Sequence, residues 1–435
     1  MIRPLCERDD THALITAETA RARAGAGRLV LLRGATGTGR TAALEAAAEH
    51  AADQGMRVLR VHCSPQEREV PFAAVRHCLS RVPEFTGAGP GGAGWVPGAV
   101  GEGASDASAG VAAGGPSGSG VPSAGVPSGS GVPAVGVPSG SGVPSAGVPV
   151  FGDEERRTAA RLWRLLVDHA AESPVMVTVD DVHLADAASR RWLVEAARRV
   201  GSLPVLIVAT ERSQYDIEPE PAGLTHALPR SLVRTHILAP LGDPAAAELL
   251  RAAFPEAGPE WIEECVRAGA GSPLLLRALL DDLGGTPPRR LPQSVPETTA
   301  ALYPGAYPAA VSWWLESAGQ ATADVARALA TLEQAWPAAT TDAGFLGSQD
   351  PVAPLTDASA SHRSPDPAAS PADDPVPLLA EATGTDPARV AGWLTAMTRL
   401  GWLRAGGAGP RYAHPLLRDA VVAGWPTARR QQAHR

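Results

Sequence analysis

Short apolar runs closed by polar or glycine-rich turns alternate, along the first half of the chain, with stretches of helical spacing. Leu29 to Leu32 is the first such run, and the alanine-rich segment Ala42 to Ala52 behind it has strong helix propensity. Gly55 to Cys63 alternates apolar and polar residues after a glycine, the pattern of a second strand. Val175 to Val179 is a third run and Leu203 to Ala209 a fourth, with His236-Ile237-Leu238 as a last short strand. Between them Thr11 to Ala24, Pro71 to Val82, Glu154 to Ala171 and Ala187 to Val200 read as helices. In Glu154 to Ala171 the spacing is carried by Leu162, Leu165, Leu166 and His169. Strands alternating with helices predict an α/β three-layer sandwich on a parallel sheet with right-handed crossovers.

Beyond Pro240 the pattern turns helical: Pro244 to Phe254, Glu260 to Ala268, Pro273 to Leu283, and two helices within Ser312 to Trp336. The tail from Leu378 to His414 reads helix, helix, then a β-like pair at Gly401 to Arg404 and Arg411 to His414, the order of a winged helix. Trp313, Trp314 and Trp393 are expected in the core. The chain divides on this reading into an α/β core over residues 1–240, a helical lid over 241–300 and a winged-helix-like domain over 301–435.

Composition changes the picture in two places. From about Thr86 to Val150 the residues collapse to Gly, Ser, Pro, Ala and Val, and Pro116, Pro127 and Pro138 each begin an eleven-residue near-copy. Such a tract cannot bury enough apolar surface to offset its ordering entropy. It reads as a disordered insert at 86–150 within one fold, with a polyproline-type docking segment as the functional alternative. Residues 338–377, rich in Asp, Ser and Pro, form the second insert. Elsewhere a hydrophobic content of 44% suffices for packed cores. A net charge of −8 argues against a nucleic-acid surface by bulk electrostatics, which leaves a local patch open. Cys6, Cys63, Cys78 and Cys265 have no metal-ligand spacing, as expected of reduced thiols in the cytoplasm. The start MIRPLCERDD lacks the apolar centre of a signal peptide, and no run reaches a membrane span. The expectation is a soluble cytoplasmic chain with no membrane partner.

The candidate chemistry sits where the apolar runs end. After Leu32 comes Gly34-Ala35-Thr36-Gly37-Thr38-Gly39-Arg40-Thr41, a glycine-rich turn between strand and helix. That context lets successive N–H groups converge on a phosphate at the positive end of a helix. The usual pattern G-x-x-x-x-G-K-[ST] has lysine where this chain has Arg40, a longer, planar, fork-shaped cation. All 38 basic residues are arginine, so the exchange can reflect the base composition of the gene. Val179 leads into Asp180-Asp181. Asp180 with the Thr41 hydroxyl suits a magnesium ion, and Asp181 could orient or deprotonate an attacking water. Arg212, ending the next strand in Thr210-Glu211-Arg212, stands where a γ-phosphate sensor belongs. Pro273, in Gly271-Ser272-Pro273, could pack the lid on adenine. Each has a plainer reading: a glycine turn, an Asp pair capping the following helix, a surface arginine paired with Glu211, a helix N-cap. His183 has no metal-pair spacing from Asp180 and reads as structural.

Taken together, GATGTGRT, TVDDVHLAD, GSPLLLRALL and RYAHPLLRDAV occur in the order found in the large ATP-binding LuxR-type transcriptional regulators. These are signal-transducing ATPases of the STAND class, relatives of the AAA superfamily. DDVHLAD resembles that family's DDLHWAD with Leu184 for tryptophan, and LCERDD is similar to its start motif. The resemblance implies that Arg8 lines the adenine site and that His414 meets the ADP phosphate. It also implies ATP/ADP and Mg2+ as cofactors, a small-molecule or protein inducer, and self-assembly. DNA would be bound only through a helix-turn-helix module that nothing in these 435 residues resembles, so the chain is a fragment or a module without its own DNA-binding part. Arg40 in place of the family's lysine implies slow or absent hydrolysis. The readings carried forward are a nucleotide-controlled switch, a nucleotide-free scaffold in which Arg40 fills the phosphate space, and an active ATPase.

Overall fold

The computed structural model describes residues 8–80, 152–218, 224–284, 294–335, 374–406 and 409–423. A first helix, α1 (Asp9–Arg23), leads to the central strand β1 (Arg28–Gly34), then α2 (Arg40–Asp53) and β2 (Arg57–His62). Next come α3 (Ala73–Ser80), α4 (Asp153–Glu172), β3 (Val175–Asp180), α5 (Ala187–Arg199), β4 (Val205–Arg212), α6 (Leu224–Ala227) and β5 (Val233–Ile237). The five strands are all parallel in the order β2-β3-β4-β1-β5. In β1 the pleat sends Leu29 and Leu31 into the core shared with α3, α4 and α5, and Val30 and Leu32 into the core shared with α1 and α2. A strand covered on both faces must be apolar at every position, which is why these runs are continuous. The result is the α/β three-layer sandwich of the P-loop NTPase fold.

Helices follow: α7 (Asp243–Ala253), α8 (Pro259–Gly269), α9 (Pro273–Gly284), α10 (Ala306–Ala318), α11 (Gln320–Ala335), α12 (Pro375–Thr383) and α13 (Pro387–Arg399). An antiparallel hairpin, β6 (Leu403–Gly406) and β7 (Gly409–Tyr412), precedes α14 (Pro415–Ala423). One apolar core runs from Ile217 to Val422, so these helices pack as one body. At its centre the Trp314 and Trp402 rings stack at 4.1 Å between centroids.

Three expectations are corrected. Trp313 is 52% exposed while Trp314 is buried. The buried stripe of α10 is Tyr307, Ala310, Val311, Trp314, Leu315 and Ala318, and Trp313 falls off it. α3 starts at Ala73 and not at Pro71, because Phe72 takes a positive φ of 61°. The second low-complexity stretch ends earlier than 377. Asp374 caps α12 by accepting from the Val376 N–H, and Pro375 opens the helix. The rest of that stretch, the insert at 86–150, and the family start motif before Arg8 lie outside the described residues.

Candidate functional site

The parallel register brings the ends of β1, β3 and β4 to one edge of the sheet. There the loop 34–39 turns into α2. Gly37 and Gly39 have φ of 83° and 90°, conformations that side chains with a Cβ resist. At Gly37 space is also closed, since an added Cβ would lie 2.6 Å from Ser272 Oγ. The Gly37 carbonyl accepts from the Ser272 hydroxyl (3.3 Å) and the Leu274 N–H (3.4 Å), so the lid sits directly on the loop. Arg8, nearly buried, donates to the carbonyls of Thr38 and Ala239, each at 2.9 Å. Gln214 accepts from the Thr36 N–H at 3.1 Å, and the Thr36 hydroxyl lies 3.2 Å from Ser317 Oγ of α10. The loop is thus gripped from three sides through its carbonyls and the Thr36 residue. The N–H groups of Gly37, Gly39, Arg40 and Thr41 have no hydrogen-bond partner among the described residues.

Beside these donors lies a compact polar network. The Thr41 hydroxyl donates to Asp180 Oδ2 at 2.8 Å, and the Thr210 hydroxyl donates to Asp180 Oδ1 at 2.5 Å. Thr210 in turn accepts from the Asp181 N–H at 2.7 Å. Asp181 has φ 50°, ψ 51°, a left-handed conformation that turns its carboxylate away from the strand direction. That carboxylate meets Arg40, whose guanidinium donates to Asp181 Oδ1 (2.8 Å) and to the Gly34 carbonyl (2.7 Å). Burial lowers the pKa of Arg40 and raises that of Asp181, and the attraction between the two charges opposes both shifts. His183 is mostly buried beside Arg40 and Arg212, and burial with those two charges pushes it down to about 3, so its ring is neutral and accepts from the Arg212 N–H.

Arg8, residues 34–41, Asp180, Asp181 and Ser272-Pro273 are therefore assembled around one loop. Arg212 ends β4 level with Gly34, but its guanidinium pairs with Asp216 (2.8 Å) and donates to the Ser317 carbonyl. Its partner is not Glu211, which is held by Arg33 at 3.1 Å. His414 is elsewhere: its ring accepts from the Leu416 N–H at the start of α14, and its charged neighbours are Arg267, Glu264 and Arg404. The Asp pair does not cap the helix after β3. Asp186 does, accepting from Ser189 and also from Phe72 and Ala74 of the α3 start.

Three contributors lie outside the motifs. His62 ends β2 opposite Asp180 in register and approaches its carboxylate at 3.2 Å. Parallel register offered that pairing, since both strands stop at the same level. Gln214 and Ser317 had no local signal. The donor set suits a magnesium ion: Thr41, Asp180 and Asp181 present hard oxygens, with His62, Asp180 and Asp181 offering ligand atoms within 4.8 Å of one another.

Comparison with known proteins is consistent with this geometry. Residues 4–208 match the family model described as an AAA ATPase domain. An uncharacterised protein of Rhizobium meliloti (strain 1021) is 33% identical over 122 residues, which are 27% of this chain and 11% of that protein. The chain thus matches only about a ninth of its curated relative's length. Among solved structures, the ORC1 protein of Aeropyrum pernix in complex with DNA aligns at 15% identity, covering 98% of this chain and 94% of that one, TM-score 0.39. The Walker-type ATPase of Pyrococcus abyssi aligns at 13%, covering 97% and 99%, TM-score 0.42. A STAND protein with a tetratricopeptide repeat sensor from Pyrococcus horikoshii aligns at 10%, covering 96% and 44%, TM-score 0.32. With the strand order and the loop beside the Asp180 carboxylate already in place, the match over residues 4–208 identifies this part of the chain as an AAA-type P-loop ATPase domain.

Proposed function

We propose that the chain is the ATP/ADP-binding switch module of a STAND regulator of the LuxR type, with slow or absent hydrolysis. The observation that carries the reading is the set of four main-chain donors at Gly37, Gly39, Arg40 and Thr41, left without partners beside the Thr41–Asp180 pair. An anion such as a nucleotide phosphate satisfies such donors at a helix start. Thr41 and Asp180 are the residues that would hold Mg2+, which supplies charge neutralisation of the phosphates. Asp181 is the acid that would orient water, and its bond to Arg40 keeps it occupied, which favours retention of nucleotide over turnover. Arg212 and Ser317 tie the end of β4 to α10, so a change at the loop is felt in the helical body. A switch of this kind needs only a difference in nucleotide affinity between two conformations. The lid contact on Gly37 through Ser272 supports Pro273 as a neighbour of the nucleotide. The C-terminal helix–helix–hairpin–helix order supports a winged-helix assignment, and His414 joins the nucleotide only in a conformation in which α14 has moved.

Calorimetric titration with ADP and Mg2+ tests this: binding at micromolar concentration or tighter is expected, and a flat titration refutes it. Arg40→Ala should abolish the binding, with Asp181→Asn in the same chain to avoid a buried unpaired carboxylate. A second reading is favoured by the Arg40–Asp181 bridge itself. In a nucleotide-free scaffold that guanidinium would stand in permanently for the phosphate charge. The same titration separates the two.

A further inference from the structure

A second polar concavity lies behind the lid, away from the loop 34–41. It is a cleft of about 400 Å³ between the start of α7, the end of α8, the end of α13 and β6. That volume falls in the range of small-molecule sites, roughly 300–1,000 Å³. Three arginines from three separate elements line it: Arg267 of α8, Arg399 of α13 and Arg404 of β6. Only Asp243 faces them with negative charge among its lining residues. None of the three arginines has an ion-pair partner among the described residues.

With one carboxylate, Asp243, against three guanidinium groups, the lining of the cleft carries a net positive charge. Their field is visible on their neighbours. Burial and the nearby Arg267 lower the pKa of Arg404, and both arginines help push His414 down to about 4. The choice of arginine over lysine carries no weight, because the chain contains no lysine. The placement carries it: three arginines from three elements line one cleft, guanidinium groups suit the oxygens of a phosphate dianion, and the single Asp243 leaves positive charge in excess.

The wall of this cleft is also the support of the nucleotide loop. Pro240 and Gly271 line it, and the Leu241 N–H is bonded to the Gly271 carbonyl at 2.8 Å. Their immediate neighbours, Ala239 and Ser272, contact Arg8 and the Gly37 carbonyl. Gly271 has φ 65° and Ala270 φ 47°, and an added Cβ at Gly271 would meet Pro240 at 3.0 Å and the Leu400 carbonyl at 3.1 Å. This segment is tightly fitted between cleft and loop, so it has little slack to absorb a displacement.

We propose that the cleft lined by Arg267, Arg399 and Arg404 binds a compact phosphomonoester, which acts as an effector of the nucleotide site through the 239–242 and 270–272 segments. The binding stands on the cleft alone; the effector role rests on the nucleotide-switch reading. Titration of the full chain with glycerol 3-phosphate, with succinate as a dicarboxylate of similar size and glycerol as a neutral control, tests the first part. Glycerol 3-phosphate should bind at millimolar concentration or tighter, and glycerol should not. Arg404→Gln and Arg267→Gln should each weaken it about tenfold, the scale of a lost charge-assisted hydrogen bond. Arg399→Gln, at an exposed helix end, is the variant least able to disturb folding and should weaken it severalfold. Circular dichroism identical to the parent qualifies each variant. No heat with glycerol 3-phosphate, tighter binding of succinate, or unchanged affinity in all three folded variants overturns the assignment. So does loss of binding in Arg40→Ala/Asp181→Asn, which would put the anion in the loop 34–41. For the second part, saturating glycerol 3-phosphate should shift the ADP affinity about fivefold or more, with the reciprocal shift on its own affinity. Binding without that shift overturns the effector role, and failure of ADP to bind at all overturns the switch reading and leaves the cleft standing.

Discussion

Arg40 and Asp181 are each more costly alone than together. Burial opposes both charges, and the 2.8 Å bridge, with the Gly34 carbonyl as a further acceptor, works against both shifts. Removing one partner of such a pair costs about 3–5 kcal/mol, most of it from the charge left behind. His183 and His414 follow the opposite logic, since both are buried neutral, with pKa values of about 3 and about 4 against an ordinary 6.5. The unfolded chain takes up these protons as pH falls through about 6.5 and the folded chain does not. Their stabilisation is therefore complete above that value and is lost on acidification toward 4. Each group gives a slope of up to about 1.4 kcal/mol per pH unit in that window. Asp181 and Glu333, whose pKa values are raised, act in the opposite sense at lower pH, so the histidine effect is read between pH 7 and 5. Urea unfolding should show stability falling over that interval by about 2–4 kcal/mol. His183→Asn and His414→Asn should each flatten the profile, and a pH-independent midpoint in the parent would contradict the neutral burial. At this scale the sequence was readable where chemistry is local. The letters 34–41 and the Asp180-Asp181 pair announce themselves by spacing from a strand end. Ser317 does not, because its bond to Thr36 crosses 281 residues that no pattern connects.

Elements were legible to the extent that their termini are encoded nearby. β1, β3 and β4 are apolar runs cut off by polar turns, and the structure ends them within a residue or two of those turns. α13 starts where a local Asp caps and a proline follows, at Asp386-Pro387; α12 carries the same signal at Asp374-Pro375, which the low-complexity composition around it hid. α10 is the counterexample. The sequence suggests a helix from Ser312, yet it begins at Ala306 after Gly305, which supplies no side-chain cap. The cap comes from α9: Asp282 accepts from the N–H groups of Gly305 (2.7 Å), Ala306 (2.9 Å) and Tyr307 (2.8 Å). One buried carboxylate thus satisfies three donors that the helix start leaves unpaired, and it locks α9 to α10. Tyr307, brought inward by this start, donates its hydroxyl to the Ala268 carbonyl of α8 at 2.6 Å. Asp282→Ala should therefore destabilise the protein by about 2–4 kcal/mol, more than an ordinary surface cap. Asp281→Ala, one residue earlier and exposed, should change the unfolding midpoint little. Equal effects of the two would mean that Asp282 is not the cap that matters.

For the molecule as a whole, the order of α/β core and helical segments could be read along the chain, whereas their packing could not. Leu241 and Val422 belong to one apolar core, and contacts over that separation depend on shape complementarity that no short-range period records. The core and the helical body meet at the loop 34–41 and at the segment after β4. Ile217 donates its N–H to the Thr322 hydroxyl, Arg389 donates to the Ile217 carbonyl, and Tyr215 fills the space left by Gly392. Arg212 and Ser317 close the same seam from the loop side. A loop held by the body cannot release a bound phosphate without either bending locally or letting α10 move. If α10 has to move, weakening its grip speeds release. Ser317→Ala removes the hydroxyl bond to Thr36, together with one within α10 to the Trp314 carbonyl, and leaves the Ser317 carbonyl on Arg212 in place. One hydrogen bond of about 0.5–1.5 kcal/mol corresponds to a rate change of roughly two- to tenfold. Displacement of a fluorescent ADP analogue should thus be faster by that factor in Ser317→Ala. Thr36→Val should give a similar acceleration, and the double variant little more than either alone, because both remove the same bond. Additive effects would show that the two hydroxyls act on release separately, and unchanged rates would show that the loop opens without the body.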